Sequence, residues 1–118
     1  MQKNSFNRVF LIGHLGASPE ARYTKSGRPM ASFSVATNEA WKQQGGKTTE
    51  HTEWHSVVAW DRLAEFSQQY LYKGQLVSIE GRIHTRKWKS QEGLSGKTVE
   101  IICSNIVPLE WKKAEKEL

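Results

Sequence analysis

The strongest constraint on the fold is a two-residue apolar period that recurs along the chain and yields to a helical period only once. Asn7 to Leu15 sets Val9, Leu11 and Leu15 against Phe10 and Ile12, and alternation returns in Ala31 to Val35, Thr52 to Trp60, Val77 to Ile83 (running on to Trp88) and Val99 to Leu109. Successive strand side chains leave on opposite faces, so these segments predict β-strands. The first is apolar on both faces, which predicts burial by the core on one side and by something else, such as a second subunit, on the other. Lys25-Ser26-Gly27-Arg28-Pro29 predicts a hairpin turn. Gln43 to Thr49 predicts a long mobile loop, and Gln91 to Gly96 a second glycine-bearing loop. The helical stretch starts at Asp61 as an N-cap, places Leu63, Phe66, Tyr70 and Leu71 at helical offsets, and stops at Gly74. The order is three strands, a helix and two strands, with Gly81 a bend of the kind small closed barrels use. The expected class is all-β.

At 118 residues the chain suits one domain. No apolar run approaches the roughly 20 residues that span a bilayer, and Val9-Phe10-Leu11-Ile12 is too short for a signal-peptide core. The protein is therefore expected to stay where it is made. Cys103 is the one cysteine, so an internal disulfide and a cysteine-rich metal site are excluded. Catalysis finds no support: Asp61 is the single Asp, the Glu residues are scattered, and no glycine-rich phosphate loop follows a strand. His51 and His55 have a spacing that chelates on a helix, but on a strand they stand ~13 Å apart. No catalytic residue, metal or cofactor is expected.

Charge and tryptophan point to a partner. The net charge is +5, and residues 110–118 carry three Lys against three Glu, so the whole excess lies in residues 1–109. Five Trp outnumber four Phe and three Tyr. On Thr52 to Trp60 the even positions hold Trp54 and Trp60 on one face, and Glu53, His55, Val57 and Ala59 share the other. On the later strand Val77, Ile79 and Ile83 predict a core stripe, whereas Glu80, Arg82, His84, Arg86 and Trp88 cannot be core. Segment 82–89 contains Arg82, Arg86, Lys87 and Lys89 and no carboxylate, and Trp41 stands beside Lys42 at the mouth of the long loop. A run of cations is ordinarily a solvated face, and five indoles can simply pack inside an assembly. Cations interleaved with indoles on surface faces of a β domain instead suit single-stranded nucleic acid, whose bases stack and whose phosphates attract Lys and Arg. Stacking contributes about 1–3 kcal/mol per base, against about 0–1 for an exposed ion pair. Aromatics are expected to dominate affinity, and no residue set resembles a reader of base edges.

Asn7-Arg8-Val9-Phe10-Leu11-Ile12-Gly13-His14-Leu15-Gly16, Pro19-Glu20-Ala21-Arg22-Tyr23, Thr52-Glu53-Trp54-His55, Leu63-Ala64-Glu65, Tyr70-Leu71-Tyr72-Lys73-Gly74, Ile79-Glu80-Gly81 and Thr85-Arg86-Lys87-Trp88 together resemble the bacterial single-stranded DNA-binding protein family, from about residue 5 to residue 109. The resemblance implies an OB-fold, a five-stranded barrel with one helix between its third and fourth strands, in a domain over 1–110 followed by a short charged extension over 111–118. It implies a homotetramer in the bacterial cytoplasm that binds single-stranded DNA without marked sequence preference in replication, recombination and repair. Stacking aromatics fall on Trp41, Trp54, Trp60 and Trp88, and basic residues near the DNA path on Arg8, Arg22, Arg62, Lys73, Arg86 and Lys87; the charge pattern adds Arg82 and Lys89. Ser56 stands where some relatives have Arg. Val9, Leu11 and His55 are the implied subunit-contact positions. A disordered linker and acidic tail normally follow the barrel, whereas this chain stops at Trp111-Lys112-Lys113-Ala114-Glu115-Lys116-Glu117-Leu118, so tail-mediated partners are not expected of it. Trp111 is expected to pack rather than to stack on bases. A primosomal accessory protein of the same fold is the alternative, but such relatives lack the tryptophan set.

Overall fold

The computed structural model describes residues 3–111, so most of the expected extension over 111–118 lies outside the described residues. Six strands and one helix follow in the order β1 (Val9–Leu15), β2 (Glu20–Tyr23), β3 (Pro29–Lys42), β4 (Thr48–Trp60), α1 (Arg62–Tyr70), β5 (Leu76–Lys89) and β6 (Ser95–Pro108). The sheet runs β1-β5-β6-β4-β3-β2, and a further pairing of β1 with β3 at His14↔Ala36 and Leu15↔Val35 closes five of the strands into a barrel. The sixth, β2, hangs on the outside of β3 through Glu20↔Ser32 to Tyr23↔Pro29. The all-β barrel with one helix is therefore present, and the short exposed β2 is the addition that four mainly polar residues did not signal.

The barrel interior is filled from the inward faces of its five strands. Leu15, Phe33, Val35, Val57, Ala59, Val77, Ile79, Ile101, Cys103 and Ile106 form one cluster with Leu71, and Val9, Leu11, Leu63 and Phe66 pack against it. Burial pushes the Cys103 thiol up to about 11, so it behaves as a small apolar filler. Fully buried Gln75 ties the helix exit to the end of β6: Tyr72 N–H donates to Oε1 at 3.2 Å, and Nε2 donates to the Glu110 carbonyl at 2.7 Å. Trp111 is largely exposed and meets the edge of Tyr70 at 5.9 Å.

Three expectations need correction. Ile83 does not belong to the core stripe and is 50 % exposed, because β5 runs past the end of the barrel there. Val9 and Leu11 turn inward onto the core, so the outward apolar side chains of β1 are Phe10 and Ile12. Asp61 holds the N-cap position but makes no side-chain cap bond. Its carboxylate is taken instead by Arg28, with Nε at 3.0 Å and Nη2 at 3.1 Å.

The expected loops are shorter than their composition suggests. The β3–β4 ladder continues to Lys42↔Thr48 and the β5–β6 ladder to Lys89↔Ser95, so both hairpins project beyond the barrel as two-stranded ribbons. Both end in a turn with the same hydrogen-bond pattern, although Gly45 also has positive φ in the first and its counterpart Glu92 does not in the second. Gly46 N–H donates to the Gln43 carbonyl and Gln43 N–H to Lys47; Gly93 N–H donates to Ser90 and Ser90 N–H to Leu94. Gly46 and Gly93 sit at φ 86 and 89, the left-handed region where a Cβ is disfavoured.

Candidate nucleic-acid interface

β4 and β6 are joined by only two residue pairs, Val57↔Ile101 and Val58↔Ile102, before they part into separate ribbons. Where they diverge a groove of about 720 Å³ opens on the outer face of the barrel. Ser32, Ser34, Ser56, Val58, Thr98 and Glu100 lie along it, Arg22 and Glu20 stand on its β2 side, Arg86 on its β5 side, and Met30 and Trp60 border it towards α1. The register explains the composition. Val58 pairs with Ile102 and Ile102 with Arg82, so the even positions of β4, β6 and β5 at this level share the outer face. Trp54 and Trp60, read on one strand, and Arg82, Arg86 and Trp88, read on another, therefore belong to one surface.

Two glycines seat two of the indoles. A Cβ added at Gly16 would stand 2.5 Å from the Trp54 ring, and one at Gly96 would stand 2.5 Å from the Trp88 ring. Each ring thus occupies the space a side chain at that glycine would fill, and both indoles remain substantially exposed, Trp54 at 58 % and Trp88 at 43 %. Trp60 is held differently. The Arg28 guanidinium lies over its ring, 4.3 Å from the centroid, and Asp61 grips that guanidinium from the next residue along. Trp60 borders the groove and Arg28 does not, so the cation backs the indole and leaves its other side to the groove. The ion pair lowers the Asp61 pKa and raises that of Arg28. Asp61 adopts φ 57, ψ −122, which L residues rarely adopt.

The cations divide into three groups. Arg22 and Arg86 line the groove, with Glu20 3.5 Å from Arg22 and Glu100 3.4 Å from Arg86. Arg8 and Arg82 share a smaller hollow of about 270 Å³ with Asn7, Cys103 and Ser104, at the bulge where the register shifts between Glu80 and Gly81. Arg8 pairs with Glu80 at 2.9 Å. Lys87 and Lys89 lie along the β5–β6 ribbon, exposed and without a carboxylate partner among the described residues.

A comparison with protein-family profiles matches residues 6–109 to the single-strand binding protein family. The chain belongs to that family. Among curated relatives, single-stranded DNA-binding protein 1 of Chlorobaculum tepidum is 46% identical over 107 residues, which is 90% of this chain and 66% of that protein. The single-stranded DNA-binding protein of Neisseria meningitidis is 43% identical over 102 residues, 86% of this chain and 59% of that protein. The chain thus spans about three-fifths to two-thirds of the length of these relatives. Among solved structures, a Plasmodium falciparum SSB in complex with ssDNA superposes with a TM-score of 0.80 at 33% identity, covering 93% of this chain and 100% of that one. A Thermus aquaticus single-stranded DNA-binding protein, a deletion mutant, gives 0.76 at 35% identity over 89% of this chain and 51% of that one.

Of the residues singled out for this member of the single-strand binding family, Trp60, Arg22 and Arg86 line the groove, whereas Trp54 and Trp88 share its sheet face without lining it. Trp41 has odd parity and leaves the β3–β4 ribbon on the face opposite Trp54, 48 % exposed. Arg62 opens α1, and Lys73 lies in the turn after the helix, where its N–H donates to Ser18 Oγ. Neither residue lines the groove, although Ser18 does. His55 is half-buried on β4, its Nε2 2.9 Å from Thr37 Oγ1. Sequence reasoning missed Arg28, Asp61 and Glu100. Arg28 lay inside a turn cluster and Asp61 resembled a cap. Glu100 shares the parity of Thr98, but its place beside Ser56 depends on the β4–β6 register, which no local pattern encodes.

Proposed function

We propose that this chain binds single-stranded DNA in the groove between its two ribbons, stacking bases on Trp54, Trp60 and Trp88 and, further out, on Trp41. The observation that carries this reading is the set of three indoles on one outer sheet face, two of them on glycine seats and one backed by a guanidinium, around a groove that also holds Arg22 and Arg86. Rings held in this way lose little further freedom when a base stacks on them. Arg8, Arg62, Lys73, Arg82, Lys87 and Lys89 supply the surrounding positive field that attracts phosphate. Family membership and a relative whose structure holds ssDNA support the ligand class. Binding is without catalysis, and the outward Phe10 and Ile12 of β1 support self-association into the family's homotetramer, with His55 as a further contact. The cellular roles that follow are protection of single strands in replication, recombination and repair, in the bacterial cytoplasm.

Titration of tryptophan emission with poly(dT) at low salt tests the reading. Quenching of most of the emission at stoichiometric DNA is expected, and an unchanged spectrum overturns it.

A further inference from the structure

A buried carboxylate is the least expected group in a groove built for a polyanion. Glu100 is 7 % exposed as a residue and its side chain 9 %, on the outer face of β6, and it lines the groove. Its contact is a single long one, Arg86 Nε donating to Oε1 at 3.4 Å. His84 stands opposite in the ladder without a bond to it, and Oε2 has no partner among the described residues. A buried acceptor left unpaired costs roughly 1–3 kcal/mol and calls for a physical explanation.

Phosphates and sugar oxygens of DNA repel this group, so among the groups of a DNA strand those suited to meet Oε2 are N–H donors, which the strand carries on its base edges. Arg86 lines the same groove, and its guanidinium carries further N–H donors besides the Nε that meets the carboxylate. Together the pair offers one donor next to two acceptors. Guanine presents the complement on its pairing edge, with O6 accepting and N1–H and N2–H donating. Cytosine and adenine set one amino donor beside a ring acceptor, which the second carboxylate oxygen repels. Thymine sets a single N–H between two carbonyls. The pairing edge is free only in a single strand.

Resting on the proposed single-strand binding, we propose that Arg86 and Glu100 recognise the pairing edge of guanine, so that one position in an otherwise sequence-tolerant groove prefers guanine. The test compares three oligonucleotides of equal length by emission quenching: all dT, dT with isolated dG at regular intervals, and the same with deoxyinosine, which lacks the N2 amino group. Isolated guanines avoid four-stranded structures. The unmodified protein should bind the guanine strand about fivefold more tightly than all dT, the low end for a well-made bidentate base contact, with inosine between. E100Q should lose that preference, read as a guanine-to-dT affinity ratio that falls to about one.

Equal affinity of the unmodified protein for the three strands overturns the proposal, as does a preference that survives E100Q. A parallel loss on all three strands in E100Q also overturns it, since Glu100 would then only orient Arg86. The comparison of guanine with inosine needs no variant and stands even if E100Q misfolds. Failure of the unmodified protein to bind any strand removes single-strand binding itself and the guanine reading with it.

Discussion

At the scale of single residues, indoles and the groups beneath them divide the work, and the division is measurable. Trp54→Ala or Trp88→Ala should each cost about 1–3 kcal/mol of DNA affinity, measured by titration against oligo(dT), with thermal stability little changed because both rings are exposed. Gly96→Ala should weaken binding in the same way without touching an aromatic residue, since the new methyl meets the Trp88 ring at 2.5 Å and lifts it. An unaltered affinity in Gly96→Ala would show that the ring's seat does not matter. The Arg28–Asp61 pair makes a prediction of opposite character. Arg28→Gln should lower affinity through Trp60 but leave the salt slope unchanged, because Asp61 already neutralises the guanidinium. The folded-state pKa of Asp61 is depressed, so the pair's contribution to stability is present above the ordinary carboxylate range and is lost as pH falls through that range and below it. Acid melts should therefore converge for the parent and Asp61→Asn at low pH and separate near neutrality. Parity alone placed Trp54 and Trp60 on a common face and Trp88 with Arg86. It misjudged Ile83, because alternation records which residues share a face and not where the barrel beneath that face ends.

At the scale of elements, strand existence was legible and strand length was not. Val77 to Ile79 alternates because a core lies beneath it, whereas Lys87 to Lys89 and Thr48 to Glu50 are strand without apolar alternation. Their ladders are carried by backbone hydrogen bonds and cross-strand neighbours, and composition alone resembles loop. The missing β4–β6 register has the same origin, since two pairs between parallel strands leave no trace in local pattern. One cross-strand neighbour is unfavourable for folding: Lys87 stands directly opposite Lys97. Like charges in that relation destabilise a ladder by a few tenths to about 1 kcal/mol. Lys87→Thr should accordingly raise ribbon stability, read as slower amide exchange over 84–98, while lowering the salt slope of DNA binding by roughly 0.7 for one lost phosphate contact on a single strand. Stability and binding moving in opposite directions would mark a charge kept for its ligand. A slope that stays constant would remove Lys87 from the phosphate path.

At the scale of the whole molecule, the groove leaves one apolar surface without a role. Phe10, Ile12 and Val107 are 62 %, 51 % and 43 % exposed, and the register Ile12↔Ser78↔Val107 puts them on one outer face of β1, β5 and β6. β1 also pairs with β3 only at His14 and Leu15, so Val9 to Gly13 bond a neighbouring strand on one side alone. An isologous contact counts each residue twice. Burying the exposed halves of three large side chains on each copy contributes roughly 5–9 kcal/mol, against an association cost of roughly 4–15. Apolar burial thus comes close to balance, and in the proposed assembly hydrogen bonds across the open edge of β1 would supply what remains. An assembly so near balance responds to one buried charge. Ile12→Glu should lower the mass measured by sedimentation equilibrium from that of the parent assembly towards the 13.5 kDa of one chain, with the β-sheet circular dichroism retained because Ile12 points away from the core. A variant whose mass equals that of the parent assembly would exclude the outer face of β1 as the contact. Oligo(dT) titration of the same variant separates the two surfaces: tryptophan quenching at saturation should persist in the smaller species, because Trp54, Trp60 and Trp88 all stand on one protomer.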